Sequence, residues 1–408
     1  MRKGLILFLP VVALLFLGCP PTWKNACKIY ISQGEYARAK EQALEGIKIS
    51  PDDYEAYCLL GKAELGLGNY PEASKAFQNG FKKDSLATIN WLKNDENGKN
   101  LSAFWQIFYG AGYKAYLDRK YEEALLNIKF AKMLDPENSS QYILEGNIYA
   151  EIGEKEKAMA VYRKVLEFDR ENAEASYFIA RAYFDKQVYD SCLTYLAKSI
   201  QTFESEYNKF KNLLFKIEFN QGLANELTRL WKEGKKDALD QFLKVKLGHD
   251  EGLSAQEKNV EKFVKINEGL GRSYYLAGIV HLNNKNDTLA LKNLMKSAEC
   301  IPDDVDVLFF LGELLIRMGK WVEARRYFER LVEIKPDDFP AWFYIGVVYS
   351  QEKNYKKAIE IYETKALPLE PENVDVLTNL AYAYREIGNT KKAWEYLQKA
   401  DKILKEKK

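Results

Sequence analysis

The stretch YCLLGKAELGLGNYPEASKAF, from Tyr57 to Phe77, decides the fold of this chain. Its two halves carry apolar residues at three- and four-residue spacing, which predicts two short helices. Between them, Gly68 lies in a glycine-rich segment that favours a tight turn. The stretch therefore predicts a pair of antiparallel helices, with the small residues Gly61 and Ala73 placed one in each helix.

This pattern recurs along the chain with a period of about 34 residues. FFLGELLIRMGKWVEARRYF repeats it from Phe309, and WFYIGVVYSQEKNYKKAIEIY repeats it from Trp342. A proline in phrases such as SPDD, DPEN and KPDD closes several copies, because it denies helical geometry to the residue before it. One position of the period holds a small residue in copy after copy: Cys27, Gly61, Gly112, Gly146, Ala180, Gly278, Gly312 and Gly346.

The repeated pattern resembles the tetratricopeptide repeat family, whose unit is a helix–turn–helix of about 34 residues with characteristic small, aromatic and proline positions. The resemblance implies an all-α, right-handed α-solenoid of about nine helix–turn–helix repeats. In such a unit, the glycine and alanine let the two helices approach closely, and aromatic side chains fill the space around them. The predicted repeats are 20–53, 54–87, 105–138, 139–172, 173–206, 271–304, 305–338, 339–373 and 374–407.

The repeats predict where each unit begins. An Asp or Asn follows the closing proline by two residues, where the first helix of the next unit needs an N-cap; Asn172 holds this position in a unit that has Arg170 in place of the proline. These candidate caps are Asp53, Asn138, Asn172, Asp304, Asp338 and Asn373.

The chain is thus divided into an N-terminal array over 19–206, a connector over 207–270, and a C-terminal array over 271–408. The first array holds five repeats and the second holds four. Residues 88–104 contain a polar patch from Lys93 to Asn100 and predict a loop inserted between the second and third repeats, either directly or after a helical turn. The connector has helical spacing throughout and is either two degenerate repeats that continue the array or a separate docking or hinge module. In the second case, LGHDEGLSAQ at 247–256 would be its flexible point.

The first residues, MRKGLILFLPVVALLFLGC, have the basic start, apolar run and small-residue junction of a secretory signal. A cysteine at the junction resembles the lipobox of bacterial lipoproteins, which implies a signal peptide over 1–18 and a lipid on Cys19. The residues around Cys19 depart from the preferred lipobox, and cleavage to a free cysteine or an uncleaved signal anchor are the alternatives. Pro20 follows Cys19, and the resemblance then implies the outer membrane, with the protein facing the periplasm. Trp23 belongs to the first repeat, so we expect the array to begin directly at the membrane surface.

Composition excludes several function classes. The 408 residues contain 60 basic and 59 acidic side chains, a balance that argues against a nucleic-acid partner. The five cysteines include no C-x-x-C pair and there are two histidines, so we expect no metal site. We read His281 as a core residue and His249 as a solvated one. A disulfide between Cys27 and Cys58 is conceivable, although a small buried thiol is the commoner state.

No motif for catalysis is present: neither a phosphate-binding Gly-rich loop with its lysine, nor G-x-S-x-G, nor H-E-x-x-H. We therefore expect no enzyme activity, no cofactor and no small-molecule substrate.

In the family, the first helices of the repeats line a groove that binds extended peptides or helices. The family's groove-lining positions, assigned to residues of this chain, predict a largely aromatic surface. Aromatic side chains suit recognition sites because they bury much area at low entropy cost. The alternative is that aromatic residues reach these positions through composition, or pack between repeats. The predicted groove residues are Tyr109, Tyr113, Tyr116, Asn147, Tyr177, Arg181, Phe184, Tyr275, Phe309, Phe343 and Tyr382.

These expectations favour a membrane-anchored scaffold of the bacterial envelope that binds an unidentified protein and assists assembly of an envelope complex. The first alternative is a general periplasmic chaperone for secreted chains, and a non-catalytic subunit of an enzyme complex is the second. The Lys/Asn/Arg clamp that some members of the family use for C-terminal carboxylates is not matched by any three consecutive repeats.

Overall fold

The protein is described by a computed structural model in which residues 22–406 are placed. Over that range every regular element is helical. The predicted signal peptide and the candidate lipidation site Cys19 lie outside the described residues. The chain divides into two compact units between Arg170 and Glu171. This boundary precedes the predicted one at 206, so the fifth repeat belongs with the second unit.

The first unit consists of four helix pairs and one additional helix, α5. Its helices are α1 (Thr22–Ser32), α2 (Tyr36–Ile49), α3 (Tyr54–Gly66), α4 (Tyr70–Lys83), α5 (Ser85–Asn94), α6 (Leu101–Leu117), α7 (Tyr121–Leu134), α8 (Ser139–Glu151) and α9 (Lys155–Phe168).

The second unit holds the remaining helices. They are α10 (Ala173–Asp185), α11 (Tyr189–Leu214), α12 (Gln221–Lys232), α13 (Lys236–Leu247), α14 (Leu253–Asn283), α15 (Asp287–Cys300), α16 (Val305–Arg317), α17 (Trp321–Ile334), α18 (Phe339–Gln351), α19 (Tyr355–Ile361), α20 (Leu367–Leu369), α21 (Val374–Glu386) and α22 (Thr390–Glu406). A π-helical turn, Tyr362–Ala366, joins α19 to α20. It absorbs the one extra residue of the repeat 339–373.

The small residues of the repeat allow close approach of the two helices, as predicted. A Cβ atom added at Gly61 would lie 2.5 Å from the ring of Phe77, and one at Gly312 would lie 2.6 Å from the ring of Phe328. Both phenylalanine rings are fully buried. In the first pair, Trp23 of α1 is buried against Gly46 of α2.

All six predicted N-caps are confirmed. The side chain of Asp53, for example, accepts a hydrogen bond from the backbone N–H of Glu55. Asp304 accepts from two backbone N–H groups at the start of α16. The same cap is made by Asn138, Asn172, Asp338 and Asn373.

The loop predicted over 88–104 is wrong for most of its length. Residues 85–94 form α5, residues 95–98 form a 3₁₀ turn, and α6 begins at Leu101. The N–H of Ala87 donates to the Asp84 carboxylate (2.9 Å) at the start of α5. Ile89 and Leu92 of α5 are buried. The helix was not predicted because a polar run from 93 to 100 follows it directly. The three-residue spacing of the apolar residues Ile89 and Leu92 was therefore too short a pattern to indicate a helix.

The connector predicted over 207–270 is helical, but its boundaries fall inside helices. α11 runs through 206, and α14 runs through 270. α14 packs directly against α10 and α11, so the helix pair α14–α15 follows α10–α11 in the stack. The C-terminal part of α11, α12, α13 and the first half of α14 form a side lobe. Its apolar core also includes Ala173 of α10, Tyr274 of α14 and Cys300 of α15. Between α11 and α14 the chain thus holds one helix pair, whereas the sequence predicted either two degenerate repeats or a separate module. One helix pair, α12–α13, lies outside the stack.

The segment 247–256, predicted as a flexible point if the connector is a separate module, is held by specific contacts. His249, predicted to be solvated, is buried, and its Nε2 lies 2.8 Å from the carbonyl oxygen of Leu214 near the end of α11. The Asp240 carboxylate accepts a 2.8 Å hydrogen bond from the N–H of Leu253 at the start of α14. His281, predicted in the core, is only half-buried, and this burial lowers its pKa.

The four described cysteines are free and buried, so the conceivable Cys27–Cys58 bridge is absent from the described residues. The Cys27 thiol donates to the carbonyl oxygen of Ala39. Burial raises the pKa of the Cys27 thiol to about 11 and that of Cys192 to about 12. These thiols are packing residues rather than nucleophiles.

Candidate interaction surface

A row of aromatic rings runs along one face of α6 in the first unit. Trp105, Tyr109 and Tyr113 follow at four-residue spacing, which places their side chains one above another on a helix. The centroids of Trp105 and Tyr109 are 4.8 Å apart, and those of Tyr109 and Tyr113 are 6.5 Å apart, both in stacked orientation. Tyr116 and Tyr121 continue the row at successive centroid distances of 6.4 Å. We call these five residues the aromatic row.

The row is exposed at its centre and held at one end. Tyr113 is 47% exposed. Trp105 donates from Nε1 to the side-chain oxygen of Gln141 on α8 (2.9 Å), and Gln141 is fully buried. Tyr116 is half-buried, and burial raises the pKa of its phenol. The ring of Trp105 is thus held in place by a hydrogen bond, and the ring of Tyr113 presents nearly half its surface to solvent.

Three of the predicted groove residues belong to the row, and a fourth lies nearby. Tyr109, Tyr113 and Tyr116 are together on α6, as predicted. Asn147 of α8 is occupied, because its side-chain oxygen accepts a 2.7 Å hydrogen bond from the Tyr162 hydroxyl. Trp105 of α6 and Tyr121 at the start of α7 were missed, although both are aromatic residues at the two ends of the row.

In the second unit, the predicted residues of α10 lie on an aromatic edge. Tyr177 makes an edge contact with Phe178 at 5.3 Å, and Phe184 lies 6.1 Å from Tyr189. Arg181 between them is exposed. These three groups supply a mixed apolar and cationic surface on one helix.

The remaining four predicted residues are spread over the first helices of later repeats. Tyr275 of α14 lies 6.2 Å from Phe310, and burial raises the pKa of its phenol. Phe309 and Phe343 are half-buried against the second helix of their own repeat. Phe309 also lies 6.0 Å from Tyr344 of the next repeat, which is the packing alternative. Phe309 contacts Phe328 at 6.0 Å, and Phe343 contacts Tyr362 at 6.3 Å. Tyr382 is 42% exposed and makes an edge contact with Tyr355 at 5.9 Å.

A cavity of about 250 Å³ opens beside these aromatic residues, between α14, α16 and α18. It was not predicted. The repeat places Glu313, Ile316 and Arg317 on groove-lining positions. They are not among the predicted groove residues, which are mostly aromatic. The cavity is lined by Leu282, Phe310, Glu313, Leu314, Ile316, Arg317 and Tyr344.

Residues 22–406 contain neither a candidate metal site nor a candidate membrane-spanning helix. No group of three or more His, Cys, Asp or Glu side chains there is arranged to hold a metal ion. Within the same residues, no helix is long and apolar enough to span a bilayer. The binding role of the predicted groove residues stays a prediction.

Family profiles agree with the helix pairs. Profiles described as tetratricopeptide repeat match residues 28–83, 288–339, 309–371 and 363–395, and a further TPR repeat profile matches 146–187. The chain belongs to the tetratricopeptide repeat family. Proteins of this family mediate protein–protein interactions, and the fold is generally a non-catalytic scaffold.

Relatives among well-studied proteins are distant. The chain is 22% identical over 368 residues to the human protein O-mannosyl-transferase TMTC3, covering 85% of this chain and 39% of that protein. It is 33% identical over 90 residues to the Caenorhabditis elegans tetratricopeptide repeat-containing protein trd-1, covering 22% of this chain and 12% of that protein. It is 23% identical over 439 residues to the TPR repeat-containing protein MJ1428 of Methanocaldococcus jannaschii, with coverages of 94% and 70%. The chain thus spans about two fifths of the first relative and an eighth of the second.

Two solved structures are similar to parts of this chain. One is YrrB, described as a TPR protein with an unusual peptide-binding site, at 21% identity and a TM-score of 0.40, with 61% of this chain and 95% of YrrB covered. The other is Pseudomonas aeruginosa PilF, at 14% identity and a TM-score of 0.45, with coverages of 68% and 97%.

Proposed function

We propose that this chain is a protein-interaction scaffold of the bacterial envelope that binds an extended peptide or helix of a partner protein across its aromatic surface. The observation that carries this proposal is the aromatic row on α6. The rings of Trp105, Tyr109 and Tyr113 are stacked in series, and Tyr113 at the centre of the row is 47% exposed.

The row suits recognition for energetic reasons. A tyrosine or tryptophan ring buries a large area, and these rings lose little freedom on binding because their neighbours already fix them. Exposed aromatic residues in series are also a costly surface to leave in water, and such patches mark binding sites. In the second unit, the exposed Arg181 and the aromatic residues of α10 offer a further candidate surface of the same chemical kind.

The envelope location is part of the proposal. It is supported by the basic start, the apolar run and the Gly–Cys junction at the beginning of the chain, up to Cys19. A lipid on Cys19 would hold the chain at the membrane, because acyl chains add about 0.8 kcal/mol of membrane affinity per buried CH₂ group. We also propose that the partner belongs to an assembling envelope complex, that the membrane is the outer one, and that the chain has no catalytic activity of its own.

Cross-linking in cells tests the partner. The tagged full chain is cross-linked in its own envelope fraction, and co-purifying proteins are identified by mass spectrometry. One dominant envelope protein should be captured by the wild type and lost in the Tyr113→Ala/Tyr177→Ala double variant. Tyr70→Ala is the matched control, because Tyr70 is 59% exposed on α4 but belongs neither to the aromatic row nor to the predicted groove residues.

Two outcomes would contradict the proposal. A diffuse set of proteins that is unchanged in the double variant would favour a general holding chaperone. Loss of the partner in Tyr70→Ala as well would mean that the effect is not specific to the surface. Circular dichroism of each variant checks that the helices are retained.

The anchor is tested separately with a labelled fatty acid. The wild-type chain should incorporate the label and sediment with membranes, whereas Cys19→Ser should do neither. Label in the Cys19→Ser variant, or none in the wild type, would rule out lipidation at this residue.

A further inference from the structure

The cavity between α14, α16 and α18 has walls suited to a long, cationic side chain. Leu282, Leu314 and Ile316 provide apolar surface, and the rings of Phe310 and Tyr344 complete the lining. Its volume of about 250 Å³ equals that of about eight waters at roughly 30 Å³ each. Long side chains such as those of Lys and Arg bury apolar stems while their charged heads seek polar partners.

Charge in this cavity is not balanced. Arg317 is engaged, because its Nε and Nη2 atoms donate to both carboxylate oxygens of Asp287, at 3.1 and 2.6 Å. Glu313 receives a hydrogen bond from the neutral Tyr344 hydroxyl, at 2.7 Å. Among the residues that the structure describes, no Lys or Arg makes an ion pair with Glu313. One negative charge therefore faces the cavity without a cation.

The aromatic wall is fixed in place. The Tyr344 ring is stacked on the buried Phe328 ring at 5.1 Å, with an angle of 14° between the planes. Burial and the carboxylate of Glu313 raise the pKa of Tyr344 to about 12, so the hydroxyl remains a donor at neutral pH. Phe310 is held by Tyr275 and Phe309, at 6.2 and 5.8 Å. Aromatic faces attract a cation placed within about 6 Å of the ring centroid.

We infer that this cavity is a specificity pocket for a lysine or arginine side chain of the bound peptide, with Glu313 as its ion-pair partner. The inference rests on the proposed function, because the peptide has to lie along the first helices of the repeats. An acidic or purely apolar side chain is disfavoured, since either would leave the Glu313 carboxylate desolvated and unpaired.

The test uses a phage-displayed library of random linear peptides, selected on the purified full chain. Wild-type protein should enrich peptides that carry Lys or Arg at one fixed register. Glu313→Gln should still enrich peptides but without this preference, because the amide oxygen can still accept from Tyr344 while the charge is gone. Glu313→Lys should move the preference to Asp or Glu.

The matched control is Glu323→Gln. Glu323 lies on α17, its side chain is 55% exposed, and it pairs with Lys320 outside the cavity. This variant should select the same basic register as the wild type. For one selected peptide, replacing its basic residue by norleucine should weaken binding about tenfold to the wild type and leave binding to Glu313→Gln unchanged.

The outcomes separate the two proposals. Peptides without a basic register, or a basic register that persists in Glu313→Gln, would overturn the pocket and leave the peptide-binding surface standing. Failure of the wild type to enrich any peptide would overturn both.

Discussion

The helix pairs α12–α13 and α16–α17 have the same turn but different packing. Gly234 and Gly319 both adopt left-handed backbone geometry, with φ of 65° and 75°. In both turns, the residue after the glycine donates its N–H to a carbonyl five residues back, Lys235 to Leu230 and Lys320 to Leu315. At the level of the turn, α12–α13 is therefore a repeat of the same kind.

The difference lies in the small residues. Counted from the turn glycine, the place of Gly312 is taken by Leu227, and the place of Ala324 is taken by Leu239. Two leucines keep the helices apart where a glycine and an alanine let them meet. Both leucines are instead buried in the core of the side lobe, together with residues of α11 and α14. The left-handed turn is sufficient to form a helix hairpin. The close contact between small residues is needed in addition for the hairpin to pack against neighbouring repeats.

The largest effect is expected from Leu227→Ala in the side lobe. Leu227 is fully buried, and removing a buried leucine costs about 2–5 kcal/mol. Hydrogen exchange in 221–247, measured by mass spectrometry, should accelerate by at least about 30-fold, which corresponds to about 2 kcal/mol. Leu213→Ala is the control, because Leu213 is 47% exposed on α11 and its loss should change exchange little.

This variant also tests whether the lobe is a separate folding unit. Exchange in 305–338 should stay slow, because Leu227 and the buried residues of α16 and α17 belong to different apolar clusters. Equal acceleration in 305–338 would show that the side lobe and the stacked repeats unfold together. The side lobe would then not be a separate folding unit.

The second prediction concerns the contact that the lobe lacks. Gly312→Ala places a Cβ 2.6 Å from the fully buried Phe328 ring, and such overpacking costs about 1–3 kcal/mol. Exchange in 305–338 should accelerate accordingly. Gly110→Ala is the matched control, because a Cβ there meets nothing within 4 Å, and it should stabilise α6 by up to about 1 kcal/mol. A harmless Gly312→Ala would mean that close approach is not what separates the two kinds of helix pair.

Much of the array follows from local chemistry that a sequence displays. The caps such as Asp304, the turn glycines such as Gly319 and the contact between Gly312 and Phe328 each depend on residues at fixed spacing. The side lobe and α5 could not be predicted in the same way. Their positions depend on long-range packing, and the period of the repeat carries no information about it.

In the candidate site too, local sequence predicts one part and long-range contacts determine the other. The aromatic row was found in part because Tyr109 and Tyr113 occupy lining positions on one helix. The cavity was missed because it depends on which charge is already paired. Arg317 and Glu313 look alike as surface charges in the sequence, and only the contact between Arg317 and Asp287 distinguishes them.

The smallest effect concerns the turn that both kinds of helix pair share. Four turns place a residue other than glycine in left-handed geometry, among them Lys353 with φ of 60°. That geometry costs an L-residue about 1–2 kcal/mol, while glycine adds about 0.5–1 kcal/mol of chain entropy to the unfolded state. Lys353→Gly should therefore stabilise α18–α19 by about 0.5 kcal/mol, whereas Gly234→Ala should destabilise α12–α13 by about 1 kcal/mol.

Lys356→Gly, on the exposed side of α19, controls for glycine inside a helix and should cost about 1 kcal/mol. Local exchange rates resolve these differences, since 1 kcal/mol corresponds to about a fivefold change in rate. If Lys353→Gly destabilises as Lys356→Gly does, the left-handed turn is not the element common to the array and the side lobe.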